Sequence, residues 1–328
     1  MRLFAALLVA SLPSLVLADA PPRAKVVESA EFAFAPLDDQ KDTPKRYRLA
    51  AGKYRYELEK KRDLPAIGIS IHHLTFPSPV KTATVENNTV HAEYYRPTGK
   101  GPFPAVIVLD ITGGNQMLSR HLATHFAANG IAALFVQMAH YGPRRPAGSK
   151  LRLMSPNLAQ TTAGVTQTVL DLRVAAAWLA SRPEIDPKQL GIMGTSLGSF
   201  LAALTGEMEP RLHRVGVLLG GGGFIDGYAA HPTAKPYFQL WKTFGGNLDG
   251  LKKAFEPIDP LTCAANLKQR DLLILAASRD EIVPPAMARM LWEASGKQKI
   301  AWFDATHYSA AMHIADAMER LVDHFRAR

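Results

Sequence analysis

Hydrophobic positions along the chain fall into short unbroken runs, separated by stretches in which they recur every three or four residues. FPAVIVLDITGG is apolar without interruption from Val106 to Leu109 and then turns polar and glycine-rich, the form of a strand buried on both faces. IAALFVQM, QLGIMG, RVGVLLGGGG and DLLILAAS repeat that form. Upstream, IGISIHHLTFPSP and TVHAEYYRPT alternate apolar with polar residues as half-buried strands do, and VENN between them signals a turn. Helical spacing fills the gaps. SRHLATHFAANG opens at Ser119, a suitable N-cap, and stops at Gly130. In NLAQTTAGVTQTVLDLRVAAAWLASRP, Val165, Val169, Leu172, Ala176 and Leu179 share one face, and the pattern ends before Pro183. PPAMARMLWEASG and SAAMHIADAMERLVDHFRAR complete the set. Strand and helix alternating in this order predict an α/β fold: a doubly wound, mostly parallel sheet with helices on both faces.

Three segments depart from the alternation. Residues 1–20 carry one charge at Arg2, an apolar run from Leu3 to Ala18 broken by Pro13, and small residues at Ala18 and Ala20. That is the pattern of a secretory signal peptide, cut after Ala18 or Ala20. The run is shorter than the roughly 20 residues that span a bilayer, so an uncleaved anchor is the lesser alternative and no stable membrane span is expected after cleavage. The expected location is the periplasm or the exterior. Residues 21–64 are Pro-rich and charged and read as an extended arm with a short helix near Tyr54, ahead of a main domain at 65–328. Within that domain, residues 225–270 form an aromatic, Pro- and Gly-punctuated insertion after the sixth strand, either a lid over a site or a plain surface excursion.

Composition narrows the picture further. The 328 residues suffice for a large core, and the lone Cys263 rules out an intramolecular disulfide. The formal charge of +9 is dispersed: Lys41 to Asp63, the densest basic region, also holds Asp42, Glu57, Glu59 and Asp63. A solvated flank accounts for it, with weak attraction to an anionic surface left open. No nucleic-acid motif is present, and nothing in the sequence sets an oligomeric state. His121 and His125 have a metal-ligand spacing, but Leu122 stands where a zinc protease needs Glu, so no metal and no cofactor are expected. Gly220 to Gly223 lacks the Lys-Ser/Thr of a phosphate loop.

The chemistry-bearing stretch is LGIMGTSLGSFLAALTG, residues 190–206. A buried strand ends in Gly194-Thr-Ser196-Leu-Gly198 and a helix-forming run follows at once. A serine at such a turn needs small neighbours, and the helix after Leu197 aims its free N–H groups at the same place, which suits an oxyanion. A hydroxyl is a poor nucleophile until a base takes its proton, and an imidazole base needs an acid to fix its tautomer. Loops after later strands supply both: Asp280 in LLILAASRDEIVPP and His307 in IAWFDATHYSAAM.

Through GTSLGS, SRDEIVP and ATHYS the chain resembles the α/β-hydrolase superfamily, over roughly residues 65–328. The resemblance implies an eight-stranded type of sheet, with Ser196 as nucleophile, His307 as general base and then acid, and Asp280 as the orienting carboxylate. Glu281, Asp226 and Asp304 are the competing acids. Leu197 should give one oxyanion N–H. The second falls to Ile111 or Thr112 in LDITGGN, where Asp110 replaces the histidine common in the family and Gly113 and Gly114 allow close approach. AHYGPRRPAG loosely resembles the dienelactone-hydrolase and acetyl-xylan-esterase-like branches. Tyr141, Arg144 and Arg145 there would bind a carboxylate or sugar oxygen, or the arginine would pin the loop to an acidic helix. The activity implied is an exported serine hydrolase acting on a small-molecule or polymer ester. A serine peptidase of the same fold and a binding protein that kept the triad are the alternatives.

Overall fold

The computed structural model describes residues 27–113, 116–232 and 234–326. The leader expected over residues 1–20, the start of the arm and Gly114 lie outside the described residues. The strands are β1 (Val27–Phe34), β2 (Gly52–Leu64), β3 (Ile69–Pro77), β4 (Thr89–Pro97), β5 (Phe103–Leu109), β6 (Ala132–Val136), β7 (Ile185–Thr195), β8 (Leu212–Leu218), β9 (Asp271–Ala277) and β10 (Lys299–Phe303). They form one sheet in the order β1-β2-β3-β4-β6-β5-β7-β8-β9-β10. Neighbours from β6 to β10 pair in parallel, and β1 to β4 pair antiparallel with one another and onto β6.

The helices are α1 (Met117–Ala128), α2 (Leu158–Ala180), α3 (Leu197–Met208), α4 (Phe224–Ala230), α5 (Lys235–Thr243), α6 (Leu248–Phe255), α7 (Pro285–Ala294) and α8 (Ile314–Arg326). Alternate residues of β5 enter two different cores: Ala105, Ile107 and Leu109 pack with α2, α3 and α7, whereas Val106 and Val108 pack with α1 and α8. A strand covered on both faces must be apolar at every position, which is why these runs are unbroken.

Two local expectations are corrected. The segment expected to carry a short helix near Tyr54 is β2, whose Tyr54, Tyr56 and Leu58 turn inward at period two while Lys53, Arg55 and Glu57 stay exposed. Ser119 is not the cap of α1, which starts two residues earlier after Gln116. Instead its hydroxyl donates to Asp110 Oδ1 at 2.9 Å, because that carboxylate is buried at the end of β5 and needs donors.

The chain runs from β5 out to β6 and returns across β5 to β7, so the loops after β5 and β7 part at adjacent places on the carboxyl edge of the sheet. Open α/β sheets bind ligands at such switch points.

Candidate active site

Ser196 occupies the tight turn from β7 into α3, with φ 51° and ψ −117°. Two close approaches explain its glycines. A side chain at Gly194 would run into the backbone of Gly198, and one at Gly198 would sit 2.6 Å from the Asp110 carbonyl oxygen. The turn is fixed from outside as well: Ser196 N–H donates to the Leu218 carbonyl at 2.9 Å, and the Ser199 hydroxyl donates to the Ser196 carbonyl at 2.6 Å. The positive end of α3 then points at the serine's surroundings.

Asp280 and His307 reach the same place from the loops after β9 and β10. His307 Nε2 lies 3.2 Å from Ser196 Oγ, and its Nδ1 lies 2.8 Å from Asp280 Oδ2. A carboxylate can only accept, so Nδ1 carries the proton and Nε2 is left with a lone pair facing the hydroxyl. Asp280 is buried, and its Oδ1 accepts the N–H groups of Ile282 (2.9 Å) and Val283 (2.7 Å). The carboxylate is thus oriented by its own loop before it meets the histidine.

The histidine loop has supports that the sequence reading passed over. Glu281, weighed only as a rival acid, accepts the backbone N–H of His307 at 3.0 Å. Thr306 and Ser309 exchange backbone and side-chain hydrogen bonds around His307. Hydroxyls placed on either side of a histidine were the available signal for that turn. The other rival acids stand elsewhere: Asp226 pairs with Lys252 on the outside of α4, and exposed Asp304 pairs with Arg279.

Beside the serine, Leu197 opens α3 and Thr112 lies in the loop after β5; both line a cavity with Ser196. The pKa of Asp110 is raised by burial, opposed first by the Ser119 hydroxyl and then by the nearby Ile111 and Gln116 amides. Gly113 N–H donates to the Tyr141 hydroxyl at 3.2 Å, so Tyr141 braces this loop. Arg144 is corrected as a substrate-binding candidate: its side chain is wholly buried and bonds Asp171 Oδ2 on α2 at 2.6 Å, with further bonds to the carbonyls of Gln137 and Asn87. The arginine is the pin between its loop and the long helix. Arg145 is half-buried and close enough to act on Tyr141 electrostatically.

Two apolar cavities flank the serine. One, of about 530 Å³, runs between α3 and the insertion and is lined by residues such as Phe200, Phe224, Phe238 and Phe255. The insertion is tied down at both ends of its path: Asp259 accepts the N–H groups of Gly223 and Phe224, and the Tyr228 hydroxyl donates to the Ile282 carbonyl in the Asp280 loop. The second cavity, of about 710 Å³, runs past His307 toward the start of α8. The Gly220–Gly223 loop packs on α7, with Gly222 N–H donating to the Met287 carbonyl. Cys263 is half-buried, its thiol pushed up to about 11 chiefly by burial.

Residues 161–327 match the model of the prolyl oligopeptidase family, and residues 43–219 match that of the family described as alpha/beta hydrolase domain containing 18. Each match takes in just over half of the chain. The chain is 25% identical over 235 residues to the uncharacterized peptidase YuxL of Bacillus subtilis (strain 168), covering 69% of this chain and 34% of that protein. It therefore spans about a third of the length of that curated relative. Among solved structures, acetyl xylan esterase 1 from Thermoanaerobacterium sp. JW/SL YS485 is similar with a TM-score of 0.62 at 18% identity, over 82% of this chain and 87% of that one. Acetyl xylan esterase from Paenibacillus sp. R4 is similar with a TM-score of 0.61 at 20% identity, over 82% and 88%. With two family models overlapping across the Ser196 turn, on a sheet of this kind, the chain is an α/β hydrolase and belongs to the prolyl oligopeptidase and alpha/beta hydrolase domain containing 18 families.

Proposed function

We propose that the protein cleaves a carboxylic ester through an acyl-enzyme. The observation that carries this reading is His307 bridging Ser196 Oγ and Asp280 Oδ2 at 3.2 and 2.8 Å. Ser196 Oγ attacks the ester carbonyl carbon while its proton passes to His307 Nε2. The carbonyl oxygen takes up negative charge and is met by the N–H of Leu197, on the first turn of α3, and that of Thr112. Thr112 is preferred to Ile111 because it lines both cavities beside Ser196, whereas Ile111 lines only the second. The C–O bond to the alcohol then breaks as His307 returns its proton to the leaving oxygen, and water repeats the sequence on the acyl-enzyme. Preorganised donors at the developing oxyanion supply about 3–4 kcal/mol each in such sites. Export, argued from the leader pattern of residues 1–20, belongs to the same reading.

A peptidase is the second reading, favoured by the prolyl oligopeptidase model. Against it, no Asp, Glu, Lys or Arg lines either cavity among the described residues, so nothing there would hold a peptide terminus or a charged side chain. The test sets p-nitrophenyl esters beside aminoacyl and dipeptidyl p-nitroanilides, with the wild type and Ser196→Ala. Ester turnover that falls about 10⁴-fold or more in the variant is expected. Turnover confined to the anilides would replace esterase by peptidase, and ester turnover that survives in Ser196→Ala would remove the serine from its role.

A further inference from the structure

We infer that the site takes an ester with a large apolar group on each side of the carbonyl: an acyl chain beneath α4 to α6, and an apolar alcohol between His307 and α8. This rests on the ester reading above and names its substrate class. The two cavities, of about 530 and 710 Å³, meet at Thr112, Ser196 and Ile282, which line both. They diverge from there, so a molecule whose carbonyl sits at Ser196 has one arm in each.

The assignment of arms follows from proton transfer. The group that protonates the leaving oxygen must touch it, and His307 lines only the larger cavity, together with Phe303, Tyr308, Ala311 and Ile314. The alcohol therefore departs on that side. The acyl group remains on Ser196 and is left with the other cavity, under Phe224, Phe238, Leu251 and Phe255. Neither lining includes a charged carboxylate, ammonium or guanidinium among the described residues. Cavities of about 300–1,000 Å³ with apolar walls suit whole drug-sized groups. An acetyl group would leave most of the first one empty, and a sugar alcohol would strand its hydroxyls against apolar walls in the second. In AHYGPRRPAG, Arg144 is locked inside the protein, and neither it nor Arg145 lines either cavity.

The experiment is a pair of substrate series on the folded protein. In one, the acyl chain of a p-nitrophenyl ester grows from acetate to dodecanoate. In the other, the acetyl group is kept and the alcohol grows from ethyl to cyclohexylmethyl and naphthylethyl, alcohols of matched acidity, with acid release followed by titration. kcat/KM is expected to rise in both, by up to about fourfold per buried methylene, before levelling. Leu251→Trp, which narrows the first cavity, is expected to shorten the preferred acyl chain and cut decanoate at least tenfold relative to butyrate, with the ranking of alcohols kept. Ala311→Phe should do the converse. Crossed effects, in which Leu251→Trp reorders the alcohols and Ala311→Phe the acyl chains, would overturn the assignment of arms. A wild type that turns over ethyl acetate and p-nitrophenyl acetate with no gain along either series would overturn the inference while the ester reading stands. No ester turnover at all would overturn both.

Discussion

Ser196 is held with a positive φ that a residue with a Cβ seldom adopts, and such settings cost about 1–3 kcal/mol. The bonds to Leu218 and Ser199 and the interlocked glycines on either side determine that conformation, so the hydroxyl is fixed before substrate arrives. The same economy of constraint governs Asp280. One oxygen serves the amides of Ile282 and Val283 and the other serves His307. In Asp280→Asn the amide oxygen must keep the two backbone donors, which turns the NH₂ toward Nδ1. Nδ1 then accepts, the imidazole proton moves to Nε2, and the base faces Ser196 with a proton instead of a lone pair. We expect kcat to fall by about 10³–10⁴-fold with KM little changed and the thermal midpoint preserved, checked by steady-state kinetics on a p-nitrophenyl ester beside a melting curve. A loss below tenfold would mean that Asp280 does not set the tautomer.

Among the elements, α2 is unusual in carrying two wholly buried charges, Asp171 toward the loop after β6 and Arg173 toward Glu209 and the segment that holds Gln40 and Tyr47. Removing one partner of a buried pair strands the other and costs about 3–5 kcal/mol, whereas replacing both can be close to neutral. Arg144→Met is therefore expected to lower stability by about that amount in urea unfolding, with much of it recovered in Arg144→Met/Asp171→Leu and with the folded fraction's kcat/KM retained. A change in KM without a change in stability would return Arg144 to substrate binding. This helix and its partners also mark where the sequence is legible. The parallel strands and the positions of Ser196, Asp280 and His307 can be read because each follows an apolar run whose period is unmistakable. β2 could not, because Lys53, Arg55 and Glu57 between its inward residues give the stretch the composition of a solvated flank. Arg144 was ambiguous because nothing in AHYGPRRPAG says which way a guanidinium turns. The choice between Ile111 and Thr112 depends on the direction of a backbone amide, which side-chain identity does not encode.

For the molecule as a whole, stability is set against pH by groups that burial keeps uncharged. His91, stacked on His73, has its pKa lowered from 6.5 to about 4, first by burial and then by His73 and Arg144. The unfolded chain therefore takes up protons that the folded one refuses, and its contribution, complete above pH 6.5, is lost as pH falls toward 4. Neutralising carboxylates over the same range raises an already positive net charge, formally +9 at pH 7, and adds repulsion. Glu207 acts in the opposite direction. It lies in the last turn of α3 with both carboxyl oxygens buried and without a hydrogen-bond partner, and burial, then Asp259, raises its pKa well above 4.5. The groups that act on it or feel it are Tyr47, Asp259 and Cys263, none of them cationic. Its contribution is complete below the unfolded value and is lost as pH rises through the folded one, because the unfolded chain releases a proton that the native state retains. Glu207→Gln keeps the shape and removes the titrating proton, so its thermal midpoint relative to wild type should climb as pH rises from 5 until the folded Glu207 ionises, while the loss on the acid side that His91 produces stays in place. Melting curves across that range decide it: parallel midpoints for the two proteins would mean that Glu207 is ionised in the fold and has a counterion, whereas a widening gap identifies a neutral acid at the junction of α3 with the 3-10 segment Pro260–Gln269 of the insertion.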